Sequence, residues 1–315
     1  MASLIESFSK CSKFTYEYSE EVSLDTLESN MSKLEHREIQ KIQKRSVGFL
    51  ICDNINNLYL KSVGDYFLFT VFIQNKNIEK LRLNRRINSL KTKYAKEGKE
   101  VTEDDITDQA KSQLLETTTP KEKLVAAYIS LDMKTIYIDS TSAADAKVIN
   151  SLIGRAIEGK GVGDESELEF TKENSHDDLS FLFTSWLHRD SGVDLPDGFE
   201  YGNKCNLKAE ESGTAALSDH ELESSEVEVH LEHGKKCQSV SLIFDDVIEF
   251  SLNKKGDVSA INIRESDDVE EDEADDGQDI LSISERMREV SILERLFDGL
   301  KCLEGGEDEL EQADL

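Results

Sequence analysis

Residues 154–161 read GRAIEGKG, close to the GxxxxGK[ST] loop that cradles nucleotide phosphates. Such a loop needs a strand before it, a helix after it and a Ser or Thr hydroxyl for magnesium. Here helical sequence precedes it, a loop follows, and Gly161 stands where the hydroxyl belongs. The stretch reads as a helix C-terminus rich in glycine, not as an ATP site. His230 and His233 form HxxH before Gly234, with Glu228 and Glu232 nearby in sequence. A zinc site needs further ligands in fixed geometry, and nothing specifies a third. Asp245, Asp246 and Glu249 have the residue types of a two-metal nuclease centre, but they fall at an expected hairpin turn, where acids are ordinary. Pro196-Asp197 opens a PD-[DE]xK pattern that no [DE]xK completes downstream. No Ser-His-Asp or Cys-His set can be argued from spacing.

The strongest positive signal is a charge run. Residues 76–99 hold nine basic and two acidic side chains, a local charge of +7. The whole chain has 66 acidic and 37 basic residues, a net −29, so everything outside the run carries −36. At about 100° per residue, Leu83, Ile87, Leu90 and Tyr94 share one helical face. Arg82, Arg86 and Lys93 form a neighbouring stripe, with Arg85 and Lys96 beside it. Lys91 completes the set of candidate phosphate contacts. A cationic helix of this kind neutralises nucleic-acid phosphates, and only locally, because the chain as a whole repels polyanions. Tyr94 is its one aromatic, so base stacking on a single strand is not indicated.

A chain of 315 residues accommodates two or three compact units. Five dispersed cysteines with no CxxC fit reduced thiols rather than a disulfide framework or a Cys-based zinc site. The N-terminal sequence lacks a signal-peptide apolar core, and no apolar run approaches the roughly 20 residues a membrane span needs. The expected location is the cytoplasm.

The elements that position these groups read as follows. Residues 23–43 have helical character, and 47–53, 58–64 and 65–74 read as strands. The basic helix follows, then a second helix opening at Thr102 with an acidic first turn. Residues 123–140 form a hairpin about Asp132-Met133-Lys134, and a helix capped by Ser142 runs to Gly159. Residues 178–190 read as a helix. Three strands span 238–265, with Lys254-Lys255-Gly256-Asp257 as the last turn. Residues 265–279 hold ten acids in fifteen positions and are expected to be an exposed loop without regular structure. A helical segment over 280–306 closes the fold.

The order and spacing of these features resemble the RdgC family of recombination-associated DNA-binding proteins. The likeness is carried by AAYISLDMKTIYIDSTSAADAKVINSLIGRAI after Leu114-Leu115 and by FTSWLHRD and CNLKAEESG. It continues through HELESSEVEVHLEHGKKC, VSLIFDDVIEFSLNKKGDVSAINI and the closing ERMREVSILERLFDGLKCLEGG. The resemblance implies an α+β, horseshoe-shaped monomer of three parts, with antiparallel sheets and flanking helices. These parts would be a centre (1–75 and 122–160), a helical tip (76–121) and a base (161–315) containing the acidic loop. It implies a homodimer closing into a ring around duplex DNA, bound without sequence preference and without nucleotide, metal or catalysis. Recombination would be modulated by limiting access of a RecA-type recombinase, at the nucleoid. Two family features are altered. Pro-Arg-x-Phe at the tip is replaced by Glu116, Thr117, Thr118 and Thr119, and a basic-polar cluster facing DNA is replaced by Ser218, Asp219 and His220. The burden of DNA contact then falls on Arg82, Arg85, Arg86, Lys91, Lys93 and Lys96. The competing reading is an acidic protein-interaction factor or DNA mimic acting on a recombination or nucleoid protein. A metal-dependent nuclease at Asp245 and Asp246 is the weakest of the three.

Overall fold

The computed structural model describes residues 7–53, 56–209, 213–219, 221–264 and 282–305. The acidic stretch 265–279 and His220 lie outside these residues. The described residues form seven α-helices and a twelve-stranded sheet whose named strands all pair antiparallel. The α+β class with a large antiparallel sheet matches the sequence expectation.

The first half of the sheet holds β2 (Arg45–Leu50), β4 (Tyr66–Asn75), β5 (Lys121–Ser130), β6 (Thr135–Ile138) and β1 (Lys10–Tyr16), in that order. Short β3 (Lys61–Val63) lies beside β4, and β7 (Phe170–Lys172) beside β1. The second half continues through β12 (Val258–Ile263), β11 (Ile248–Asn253), β10 (Lys236–Phe244), β8 (Phe199–Lys208) and β9 (Thr214–Ser218). Among the described residues two registered pairs join the halves, Lys10 with Ser259 and Cys11 with Val258, and the Ile261 N–H donates to the Ser9 carbonyl beside them at 3.1 Å.

The sequence reading fails where local signals are weak or are overruled. The helix expected over 23–43 stops early, as α1 (Leu24–Lys33). Beyond it the chain is taken up by the sheet edge: the Phe49 N–H donates to the Leu34 carbonyl, and the His36 N–H donates to the Phe49 carbonyl. Strands expected over 47–53 and 58–64 are displaced and shortened to β2 and β3. The reading gives no signal for β1, β7, β8, β9 or the helix α6 (Ser225–Glu232). In β1, Ser12 and Lys13 are buried among apolar neighbours, so no hydrophobic run marks a central strand. In β8, an irregular register around Gly202 breaks the alternation that would announce a strand.

One face of the first half is covered by α1 and α4 (Ala143–Ile157), whose Leu27, Met31, Ile149 and Ile153 pack with Phe49, Phe69 and Val71. The other face receives α7 (Ile283–Leu300). That helix also spans onto the second half, where α5 (Ser180–Leu187) and α6 pack as well. Its Val290, Leu293, Leu296 and Phe297 share one core with Tyr66, Tyr128, Tyr137, Phe199, Phe244 and Phe250. Gly299 is required by this contact, because a Cβ there would lie 2.8 Å from the Phe244 ring.

The docking of α7 contains two buried charges. Arg286 is 0% exposed and Glu289 is 2% exposed. Glu289 accepts the Phe8 N–H at 2.7 Å and the Tyr128 hydroxyl at 2.5 Å. Burial raises the Glu289 carboxyl above its ordinary range, opposed by these hydrogen bonds and by Arg286. Burial also raises the Tyr128 hydroxyl, reinforced by Glu289. Tyr66, whose hydroxyl donates to Glu294 at 3.3 Å, is pushed up to about 12, mainly by burial.

Candidate nucleic-acid interface

The basic run forms α2 (Lys80–Glu97), followed by α3 (Glu103–Thr117). Both ends of this helical hairpin are anchored in the sheet, since Asn75 of β4 pairs with Lys121 of β5. Lys76, counted with the basic run in the sequence, is instead buried. Its ammonium donates to the carbonyls of Gln40 at 3.0 Å and Lys41 at 2.7 Å, fixing the exit from β4.

The two helices pack on each other through a small apolar seam. Leu83, Ile87, Leu90 and Tyr94 face Val101, Ile106 and Ala110, as the helical spacing predicts. Gly98 ends α2 in the left-handed region at φ 63°, which a non-glycine residue adopts only at a cost. The Thr102 hydroxyl then accepts the Asp105 N–H at 3.2 Å and caps α3, whose first turn carries Glu103, Asp104 and Asp105. That arrangement suits the helix dipole; α2 breaks the same rule. Its first turn has no acid and begins Lys80-Leu81-Arg82, placing cations at the positive end of the dipole. The nearest acid at that end is Glu79 at the N-cap, whose side chain makes no capping hydrogen bond.

All six sequence-predicted contacts lie on α2 and are exposed. They divide into two groups. Arg82, Arg85 and Lys96 have no hydrogen bond or ion pair among the described residues, and Lys93 is held loosely, 3.9 Å from Glu97. Arg86 is committed to α3, donating to the Gln113 amide oxygen at 2.9 and 2.6 Å. Lys91 is paired with Glu103. From Arg82 to Lys96 the outward row runs roughly 21 Å along the helix, against roughly 34 Å for one turn of duplex DNA. Residues 80–117 hold nine basic and seven acidic side chains, so the hairpin is bipolar, cationic on α2 and acidic on α3. The carboxylates nearest the cationic stripe are Glu97 and Glu103, which meet Lys93 and Lys91.

Of the positions that the resemblance marks as altered, one set lies at the root of the hairpin and the other at the end of β9. Glu116 and Thr117 end α3, and the hydroxyls of Thr117 and Thr118 donate to the Leu114 carbonyl at 3.2 and 2.6 Å. Ser218 ends β9, and Asp219 follows it with φ 59°.

The remaining candidate chemistry is engaged elsewhere. Gly154–Ile157 form the last turn of α4, and Lys160 pairs with Glu158 at 3.4 Å and Glu167 at 3.1 Å. His230 meets the Lys235 ammonium at 3.1 Å, and His233 the Val229 carbonyl at 2.6 Å. Asp245 and Asp246 occupy the β10–β11 turn, with φ 51° and 58°, and are paired with Arg295 and Arg264. Among the described residues, no group of three or more His, Cys, Asp or Glu side chains is placed to hold a metal ion. No helix among them is long and apolar enough to cross a membrane. The sequence reading does not single out Lys204, Lys208 and Lys236. The K-x-N-x-K alternation at 204–208 is the signal that would have drawn attention to the first two.

Comparison with known proteins gives a consistent result. Residues 8–300 match the family model RdgC, described as "Putative exonuclease, RdgC". The chain is 27% identical over 259 residues to a recombination-associated protein RdgC of Actinobacillus succinogenes, covering 78% of this chain and 80% of that protein. It is 25% identical over 253 residues to the protein of the same name from Mannheimia succiniciproducens, with the same coverage of 78% and 80%. A third, from Pseudoalteromonas translucida, is 26% identical over 208 residues.

Proposed function

The chain belongs to the RdgC family, and from that premise we propose that it is a non-catalytic, sequence-independent duplex-DNA-binding protein that modulates homologous recombination. It acts as a homodimer that encircles DNA at the nucleoid and limits access of a RecA-type recombinase. In this reading the centre is 1–75 with 122–160, the tip is 76–121 and the base is 161–315. DNA is held through phosphates by Arg82, Arg85, Lys93 and Lys96, with Arg86 and Lys91 joining when their partners on α3 release them. The observation that carries the reading is the outward cationic row on α2, unpaired at Arg82, Arg85 and Lys96, in a chain of net charge −29. The recombination-associated names of the relatives support the same direction.

We propose no exonuclease activity, although the description of the family model names one. The acidic pair considered for metal chemistry, Asp245 and Asp246, is neutralised by Arg295 and Arg264. The competing reading, an acidic partner-binding factor, draws on the −36 carried outside the basic run. The deciding experiment is duplex-DNA binding by the purified chain across a salt series. Log affinity should fall steeply and linearly with log salt, by about 0.9 for each phosphate neutralised. Unrelated duplexes should bind alike, because phosphate contacts carry no base information. No binding at low salt, together with capture of a recombinase in the absence of DNA, would favour the acidic-factor reading.

A further inference from the structure

The sheet formed by β8, β9 and β10 has one face in the core and one open face. Cys205, Leu207, Leu217, Cys237 and Val240 point inward, into the core they share with Leu182, Phe183 and Trp186 of α5. The alternate residues of β8 are Lys204, Asn206 and Lys208. On β9 these pair with Ser218, Ala216 and Thr214, all exposed. On β10, Lys236 stands opposite Lys208, and Ser239 opposite Asn206, whose amide donates to the Ser239 hydroxyl at 2.8 Å. Directly opposed residues of an antiparallel pair share a face. The open face therefore has a floor of Asn, Ser, Thr and Ala with three lysines above it.

These lysines break two rules at once. Lys208 and Lys236 are like charges directly opposed across a ladder, a destabilising arrangement. In a chain with 66 acidic residues, none of the three lysine ammonium groups makes an ion pair or a hydrogen bond among the described residues. The nearby Asp219 accepts instead from the Asn203 amide at 3.3 Å. A violation of local consistency with no internal compensation marks a surface that answers to something outside the fold.

We infer that this face is a second phosphate-contact surface for duplex DNA, remote from α2. β8 lies seven positions from β4 in the strand order. Charge complementarity selects a polyanion. The short side chains let a backbone approach closely and offer hydroxyl and amide donors to phosphate oxygens. No aromatic residue lies among the positions named on this face, so it is not built to stack single-strand bases. The inference rests on the DNA-binding reading and adds a contact that neither the sequence motifs nor the altered 218–220 cluster supplied.

The test compares the wild type with Lys204→Gln/Lys208→Gln/Lys236→Gln on a labelled duplex across a NaCl series, with circular dichroism as the control for folding. The triple variant should flatten the salt slope by about 2.7, from three contacts of about 0.9 each. If it fails to fold, the single variants Lys208→Gln and Lys236→Gln should each lower the slope by about 0.9. Lys236→Glu adds a separate signature: it converts the opposed lysines into an opposite-charge pair, so the melting temperature should rise while DNA binding weakens. A wild-type chain that binds DNA while the folded variants keep its slope overturns this inference alone. A wild-type chain that does not bind duplex DNA overturns the proposed function and this inference together.

Discussion

Helices α2 and α7 are each 18 residues long, and each carries arginines beside leucines, yet they do opposite things. In α2 only Leu90 is buried, and in α7 eight residues are, including Arg286 and Glu289. Helix α2 leans on one neighbour, α3, through a seam of a few side chains. Helix α7 lies across both halves of the sheet and fixes the position of the first strand through the Phe8 N–H. The lesson is that composition does not decide whether a cation belongs to the core or to the surface; the amount of apolar surface beneath the helix does. Where the seam is thin, long cationic side chains remain in water. Where it is deep, even an arginine is enclosed, and it must be enclosed together with a carboxylate.

The largest expected break in this comparison is functional. Charge reversal at Arg82, Arg85 and Lys96 should remove most DNA affinity and flatten the salt slope by about 3. Reversal of the half-buried Arg288 on α7, which donates to the Arg264 carbonyl at 2.8 Å, should leave binding near that of the wild type. Anisotropy on two unrelated duplexes, with circular dichroism to confirm folding, measures both. Equal loss from the two helices would mean that only net charge matters.

Stability should separate the helices next. Leu293→Ala creates a cavity in the shared core and should cost about 2–5 kcal/mol of global stability, read by denaturant melting. Leu90→Ala should barely move the global transition, because the seam it weakens is local. It should instead speed amide exchange throughout α2 and α3. A global loss from Leu90→Ala as large as that from Leu293→Ala would show that the hairpin is part of the main cooperative unit.

The buried carboxylate predicts a pH dependence. The folded-state pKa of Glu289 lies above its unfolded value, so the folded state binds more protons through that window. Stability contributed by this group should fall as pH rises from its unfolded range through its raised folded one. In Glu289→Gln that slope should vanish, which paired melting curves from the ordinary carboxylate range upward would test. A slope unchanged in the variant would assign the effect to another group.

The smallest expected effect concerns the clasp within the hairpin. Glu103→Gln removes the partner of Lys91 and one acid beside the cationic row. DNA affinity at low salt should rise by a few-fold, in keeping with the modest strength of exposed ion pairs. A decrease would mean that Glu103 positions Lys91 for phosphate instead of occupying it.

Much of the fold was legible where a single element carries its own signal. The apolar stripe of α2, the Thr102 and Ser142 caps, the hairpin at Asp132-Met133-Lys134 and the three strands whose last turn holds Gly256 all follow from local spacing. At Gly256 the backbone φ is 78°, and a Cβ would lie 2.1 Å from the Asn174 carbonyl. Strands β1, β8 and β9 were illegible because their partners define them. Lys13 is tolerated in the interior through Glu173, at 2.8 Å, and the Tyr137 ring, whose centroid is 5.7 Å from its ammonium, and the irregular register of β8 is visible only against β10. The candidate interface divides in the same way. Helical spacing separates the outer stripe from the seam, but the engagement of Arg86 by Gln113 and of Lys91 by Glu103 depends on how α3 returns. The lysines of the open sheet face required the register itself.

The narrow joint between the sheet halves also has a consequence for the order in which the chain can be built. Strand β1, near the start of the sequence, pairs with residues 135–138, 170–172 and 258–259, and Phe8 is finally secured by Glu289. During synthesis from the N-terminus, this strand therefore leaves the ribosome long before its last partners exist. Either half can gather its local hairpins early, but the ladder that unites them waits for nearly the whole chain, with the entropic cost of closing the longest loop. Until then the edges of β6 and β12 are open to other chains. Crowded or rapid expression should therefore yield misassembled material in which the two halves are formed and the first strand is misplaced.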